Sequence, residues 1–182
     1  MTEQMTRIAV ITALAEKTPQ LGRTSLMKLC YFLQVLRSVP LGYRFSLYSY
    51  GPFDSDVLAD LDSATALGGV SSSLVSYFHT YGYKIEPGPK AQYIQARSSK
   101  FLDAHRAAID WVVDKFGSMS ASELELKSTL IYCDREAKAK KERISLSELC
   151  SRVHDVKPHF TIDQIRLAAE ELIQQDVLFT KI

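Results

Sequence analysis

The sequence has few of the residues from which disulfide frameworks and metal sites are built. Its 182 residues include three cysteines and four histidines. Cys30, Cys133 and Cys150 are odd in number and form no C-x-x-C pair. Each lies in an apolar helical pattern, where a free thiol packs as a small hydrophobe. We therefore expect free thiols, a reducing cytoplasm, no structural metal and no cofactor.

Long hydrophobic runs and an excess of one charge are missing as well. No window reaches the ~18 apolar residues of a membrane span. The N-terminus has Glu3 before a mixed helix and no apolar core of a signal peptide. Lys+Arg 22 and Asp+Glu 21 give a net charge of +1, so nucleic-acid binding would need a local basic patch. We expect a soluble, cytoplasmic protein that does not bind a membrane.

The spacing of apolar residues predicts a mostly α fold with a small antiparallel β-element, in the α+β class. Residues 1–97 read helix, helix, strand, helix, strand, strand, which is the element order of a winged helix-turn-helix. Residues 98–182 read as helices that end in a short strand. A chain of this length is long enough to bury one core. We therefore expect residues 1–182 to form a single compact domain with these two sub-regions.

In the first half, the helix over 24–39 is apolar around most of its circumference and is predicted to be the central buried element. Its expected N-cap is Thr24 or Ser25. Alternation over 43–50 predicts a strand. The remaining signals are a corner at Gly51-Pro52, an N-cap at Asp54 or Ser55, a left-handed stop at Gly68-Gly69, a turn at Gly82, and extended runs at 73–81, 83–86 and 93–96.

The second half is predicted to be helical. Helices are expected over 99–116 and from Ser120 or Ser122 through Cys133. The charged run 134–143 is either a break or a solvated helical end. Ser145 and Glu148 have the spacing of a capping box. A last helix begins near Ile162, and residues 177–182 are expected to form a strand.

The blocks R-T-S-L-M-K-L-C-Y-F-L-Q, the strand ending Y-S-Y-G-P-F and the acidic helix ending G-G-V resemble a known bacterial group, the YwgA-like proteins. These are related in style to the Panacea (SocA-like) antitoxin domain, and both groups carry a K-L-x-Y-[FL] helix followed by a Y-G-P corner. The resemblance covers most of residues 7–178. It implies a compact helical domain with a small β-element. It also implies a role in toxin neutralisation, in phage-linked loci or in delivering a partner for proteolysis.

Two groups of residues are candidates for binding a partner. In the aromatic corner, Tyr48 and Phe53 are predicted to contact a partner protein, because aromatic side chains dominate interface hot spots. Tyr50, Gly51 and Pro52 are predicted to set the corner itself. At the start of the central helix, Arg23 and Lys28 either bind an acidic partner or form surface ion pairs with Asp54 or Asp56.

The other charged and titratable groups give weaker support for a metal site, a catalytic site or a nucleic-acid-binding patch. The acids Asp54, Asp56, Asp60 and Asp62 suggest a metal site or a carboxylate dyad, since Asp56 and Asp60 share a helical face. The alternative, which we favour, is that acids are expected at a helix N-terminus because of the helix dipole. Cys150, His154 and His159 form the only thiol–imidazole grouping, with too few ligands for a structural zinc. The run Arg135, Lys138, Lys140, Lys141, Arg143 is interleaved with acids and is typical of a solvated helical end.

These observations predict a non-enzymatic bacterial interaction protein of antitoxin or proteolytic-adaptor type. No residue is predicted to be catalytic, and the expected partner is a protein, such as a toxin or a phage-linked protein. The alternative is a DNA-binding transcriptional regulator that uses a winged-helix-like segment.

Overall fold

The computed structural model of the protein describes residues 2–77 and 80–181. In chain order the elements are α1 (Glu3–Lys17), α2 (Arg23–Arg37), β1 (Ser46–Tyr48), β2 (Gly51–Phe53), α3 (Ser55–Ala66), β3 (Val70–Tyr77), β4 (Thr80–Pro87), α4 (Ala91–Arg97), α5 (Ser99–Phe116), α6 (Ala121–Ala139), α7 (Leu146–Val156) and α8 (Ile162–Gln174). Helices dominate, and the strands form two small antiparallel sheets, so the α+β class is confirmed. Within the described ranges, no helix is long and apolar enough to cross a bilayer.

Contacts between Cα atoms group the chain into two compact units. The first unit contains residues 1–46 and 53–120, and the second contains residues 47–52 and 121–182. Along the chain, the last boundary between the units therefore follows Ser120, whereas the sequence suggested sub-regions that meet at residues 97 and 98. That residues 1–182 form a single compact domain stays a prediction.

The core of the first unit is centred on α2. Its residues from Leu26 to Leu33 are all buried, as the apolar pattern predicts. The ring of Phe32 packs against that of Phe116 in α5, with their centroids 4.2 Å apart. A helix buried on every side has no face for solvent, which explains why its sequence shows almost no polar stripe.

The ends of α2 differ from the prediction. The N-cap is Gly22, without a side-chain hydrogen bond, and the helix ends at Ser38, which has a left-handed φ of 54°. The predicted caps Thr24 and Ser25 are wrong because the helix already begins at Arg23. By contrast, Asp54 caps α3 as expected, with its side chain accepting a hydrogen bond from Asp56 N.

The β3–β4 hairpin corrects two further predictions. Gly82 does not form a turn, since it lies inside β4 opposite Val75. The predicted run 73–81 includes Phe78 and His79, which lie outside the described residues. The run 93–96 belongs to α4 rather than to a strand, because Ala91 and Ile94 bury one face at helical spacing.

The second unit consists of α6, α7 and α8 together with the segment 47–52. Helix α6 continues to Ala139, so the first part of the charged run is a helical end and not a break, although Asp134 in it is buried. Both following helices begin with a capping box, Ser145 with Glu148 and Thr161 with Gln164. Hydrogen bonds from the Ser145 backbone and hydroxyl lower the pKa of the Glu148 carboxyl. These caps satisfy helix N–H groups that would otherwise have no partner.

The predicted C-terminal strand is absent from residues 177–181, which have an irregular backbone. The backbone N–H groups of Phe179 and Thr180 each donate to the buried carboxylate of Asp134, at 2.9 Å. Arg135 donates in addition to the carbonyl of Val177, at 2.9 Å. Side chains of α6 thus take the hydrogen bonds that a strand would form, which is why the β-favouring residues V-L-F-T form none.

Candidate functional site

The candidate site is the turn of the β1–β2 hairpin, which carries two exposed tyrosines. Tyr48 is 62% exposed and Tyr50 is 71% exposed. The alternation over 43–48 places Tyr48 on the solvent side, as predicted. The Tyr50 side chain differs from the expectation, because it is the more exposed of the two and does not pack into the corner.

The chain reverses at Ser49 and Tyr50, and not at Gly51-Pro52 as predicted. Gly51 lies directly after the reversal with φ of +88°, a position where hairpin loops often use a left-handed residue. A Cβ on Gly51 would lie 3.0 Å from Ser128 Oγ and 3.2 Å from Thr129 Oγ1. Glycine is therefore required twice, by the backbone conformation and by the close approach to α6. The buried Gly51 and Pro52 fit the structural role that the sequence assigned to them.

The buried side chain of Lys157 forms hydrogen bonds to the backbone of this turn. Its ammonium group donates to the carbonyl of Tyr48, at 3.1 Å, and to the carbonyl of Ser49. The side chain is only 2% exposed, so its charge needs a partner. The partner is Glu125 of α6, whose Oε1 lies 3.0 Å from Lys157 Nζ. This pair is ionic by distance but lacks the alignment of a hydrogen bond.

Glu125 also faces His159, the residue two positions after the buried lysine. His159 Nε2 lies 3.3 Å from Glu125 Oε1, and the imidazole is 55% exposed. The carboxylate thus lies between a buried ammonium and a solvent-facing ring. We name Lys157, Glu125 and the turn 48–51 the anchored turn. Sequence reasoning missed Lys157 and Glu125, because neither breaks an apolar pattern in a way that marks a buried ion pair.

The thiol–imidazole grouping does not assemble. Cys150 is buried, the Nδ1 atom of His154 lies 2.9 Å from the carbonyl oxygen of Phe160, and His159 pairs with Glu125. Throughout residues 2–77 and 80–181, no three His, Cys, Asp or Glu side chains are grouped as metal ligands. Burial is the main cause that raises the pKa of the Cys150 thiol.

The remaining predicted partner-binding residues lie in the first unit. Lys28 is 2% exposed, so the expectation of a surface contact or a surface ion pair is wrong for it. The reason is its position within the fully buried stretch of α2. Arg23 is half-buried and stacks on the Tyr83 ring, with Cζ 3.6 Å from the centroid. Phe53 is half-buried as well.

The acids of α3 have structural partners or face solvent. Asp60 is 2% exposed and accepts hydrogen bonds from Arg7 Nε, at 2.6 Å, and from the Tyr43 hydroxyl, at 3.0 Å. Burial, followed by the negative charges nearby, raises the pKa of Tyr43. Asp56 points to solvent. The two carboxylates share a helix face by spacing, but their environments differ too much for a dyad.

The basic run on α6 is partly engaged with the C-terminal segment. Arg135 Cζ lies 4.0 Å from the centroid of the Phe179 ring, and Lys138 Nζ lies 5.0 Å from it. Lys140 pairs with Glu136 one turn earlier, at 3.2 Å. These contacts give three of its cations intramolecular partners, so the run is only partly solvated.

Comparison with models of known protein families and with curated proteins finds no match for this chain. The resemblance to YwgA-like proteins therefore stays a prediction that rests on the sequence blocks quoted above.

Proposed function

We propose that the protein is a non-enzymatic interaction module of antitoxin or proteolytic-adaptor type. It would act in the cytoplasm and bind a protein partner, such as a toxin or a phage-linked protein, through the anchored turn. The observation that carries the proposal is the pair of exposed tyrosines on a turn whose carbonyls are held by the buried Lys157. The proposed mechanism is stoichiometric occlusion or presentation of that partner.

The anchored turn has the physical properties of a recognition surface. Tyrosine is enriched among interface hot spots because it offers a large apolar ring and a polar tip. Binding costs less entropy when the contact residues are already held in place. The ion pair of Lys157 with Glu125 holds the backbone of this turn before any partner arrives, and Tyr50 adds to the surface that Tyr48 and Phe53 were predicted to form.

One cleft of the first unit is lined mainly by basic, aromatic and apolar side chains. This cleft of about 680 Å³ is lined by Lys90, Tyr93 and Arg97 together with small and apolar residues. Among its described lining residues there is no carboxylate, imidazole or thiol.

DNA binding is the second candidate function. The mostly acidic charges of helices α3 and α8 argue against it. In a winged helix, the helix before the wing lies in the major groove and contacts phosphates through Lys and Arg. Helix α3 precedes the β3–β4 hairpin and carries acids without any Lys or Arg. Helix α8, in the second helix-turn-helix-like segment, has Arg166 as its one cation against three acids.

The proposal is tested by partner capture from an extract of the native host, with identification by mass spectrometry. The variants are Tyr48→Ala and Tyr50→Ala, singly and together. Tyr93→Ala is the matched control, because Tyr93 is also a tyrosine on the surface, 60% exposed. We expect one stoichiometric partner on the wild type, with binding weakened by ~1–2 kcal/mol or more for a hot-spot tyrosine.

Melting temperatures separate recognition from folding. Both turn variants should melt within a degree or two of the wild type, because their rings are largely in solvent. Loss of the partner from the Tyr93 control to the same extent would remove the anchored turn as the binding surface. A salt-sensitive affinity of the wild type for duplex DNA would favour the regulator instead.

A further inference from the structure

The β3–β4 hairpin of the first unit has one mostly apolar face that runs from the core into solvent. Its antiparallel register places Leu74 opposite Tyr83 and Ser76 opposite Tyr81 on this face. Near the core, Ile85 on the same face is buried. Farther out, Leu74 is 61% exposed and Tyr81 is 76% exposed. The hairpin thus presents an apolar surface to solvent at its outer end.

The charges of this hairpin are confined to β4. Lys84 and Glu86 lie on the opposite, polar face and pair with each other at 2.7 Å. Strand β3, Val70–Tyr77, contains no charged residue. Natural proteins commonly protect an exposed strand edge with a lysine, a proline or another charge. The edge of β3 has none of these.

The direction of the backbone groups follows from one hydrogen bond. Ile85 N donates to the carbonyl of Leu21, at 2.7 Å, so its N–H points away from β3. The Ser72–Ile85 pair is therefore a non-hydrogen-bonded pair. Because such pairs alternate, the N–H and C=O groups of Ser72, Leu74 and Ser76 point outward from β3.

The two edges of the hairpin differ in whether another segment of the chain forms hydrogen bonds to them. The edge of β4 is bonded by the Leu21 segment at Ile85, and Arg23 stacks on Tyr83 beside it. On the edge of β3, the part of the chain that the structure describes supplies no backbone hydrogen bond to Leu74 or Ser76. An uncharged edge with outward N–H and C=O groups and an adjoining apolar face is a template for a further strand.

We propose that β3 pairs with β3 of a second copy of this chain, antiparallel about a two-fold axis at Leu74. Each Leu74 then lies opposite its counterpart, and Ser72 of each copy lies opposite Ser76 of the other. In a symmetric seam, each charge near the two-fold axis lies close to the same charge of the other copy. Strand β3 carries no charge, so this pairing brings no like charges of β3 together. The product is a four-stranded sheet, in which the two apolar faces become continuous.

The first test is sedimentation velocity over a range of concentrations up to about 1 mM, the weak end of specific association. The variant is Leu74→Lys, which would place two ammonium groups at the two-fold axis. Leu167→Lys is the matched control, since Leu167 on α8 is 62% exposed, almost the same as Leu74. We expect a wild-type dimer, a dissociation constant raised about tenfold or more by Leu74→Lys, and no change in the control.

The second test uses Leu74→Cys under mild oxidation by oxidised glutathione. Residues opposite each other in a hydrogen-bonded antiparallel pair have Cα atoms about 5.5 Å apart, within the range of a disulfide. Leu74→Cys should form a covalent dimer and Leu167→Cys should not, while the native cysteines are buried. A wild type that stays monomeric at every concentration overturns the proposal. Equal cross-linking of both variants, or an unchanged dissociation constant for Leu74→Lys, does so too.

Discussion

Breaking the ion pair of the anchored turn by removing Lys157 should strongly destabilise the second unit. The perturbation is Lys157→Met, which keeps the length of the side chain and removes its charge. Lys157 is 2% exposed and the Glu125 side chain is 10% exposed. Without the ammonium, the carboxylate of Glu125 stays in this poorly hydrated position beside a half-exposed imidazole only.

The magnitude follows from the burial. Removing one partner of a buried ion pair costs about 3–5 kcal/mol, because the other charge is left uncompensated. The carbonyls of Tyr48 and Ser49 also lose a donor, but they belong to a surface turn and can bind water, so we add little for them. With a urea m-value of about 2 kcal/mol per molar, the unfolding midpoint should fall by about 1.5–2.5 M.

A double-mutant cycle with Glu125→Gln isolates the pair. Once Lys157 is methionine, the second change should cost little or stabilise the protein, because it removes the uncompensated charge. Lys140→Met is the matched control in the same unit, since it breaks an exposed pair with Glu136 that is worth about 0–1 kcal/mol. Urea unfolding followed by circular dichroism measures the wild type and all four variants. Equal destabilisation by Lys157→Met and Lys140→Met would refute the argument, as would a coupling energy of zero.

Three other perturbations give further expected outcomes. Leu33→Ala, at a side chain with no exposed surface, should cost ~2–5 kcal/mol in thermal or urea unfolding, and near-wild-type stability would contradict a core centred on α2. Gly51→Ala should lower the free energy of unfolding by about 1–2 kcal/mol because of the left-handed backbone, and further because the new Cβ contacts Ser128. Gly68→Ala, whose Cβ has its nearest atoms at 3.5 Å or beyond, should show the backbone cost alone. Burial raises the pKa of Cys133 to about 11, so at pH 8 the thiol stays protonated. A disulfide reagent should therefore label Cys133 slowly in the native protein and quickly in urea-unfolded protein, and rapid labelling at Cys133 in the folded protein would show that this thiol is accessible.

Some helix boundaries, though not the start of α2, were predictable from a local capping residue or from an apolar pattern of helical period. The predicted helix over 99–116 coincides with α5, and Ser145 with Glu148 forms the predicted capping box. These signals are local, because a cap and the helix it starts lie within four residues of each other. The same locality explains the accurate placement of Asp54 at the start of α3.

Strand positions were predicted less well because they depend on partners far along the chain. Gly82 has the composition of a turn, yet pairing with Val75 keeps it in β4. The C-terminal run has the composition of a strand, yet Asp134 accepts the N–H groups of Phe179 and Thr180. Neither the pairing nor the distant carboxylate can be read from a window of a few residues.

The candidate site shows the same division between local and distant causes. The exposure of Tyr48 follows from alternation along its own strand, so the sequence was sufficient to predict it. The buried position of Lys157 is different, because a lysine next to a proline on a polar turn usually faces solvent. It is buried here because Glu125, more than thirty residues earlier, compensates its charge and the carbonyls of Tyr48 and Ser49 accept hydrogen bonds from its ammonium group. The aromatic residues indicate where the candidate site lies. The buried charges of Lys157 and Glu125, which hold the backbone of the turn, are what make it a candidate for recognition.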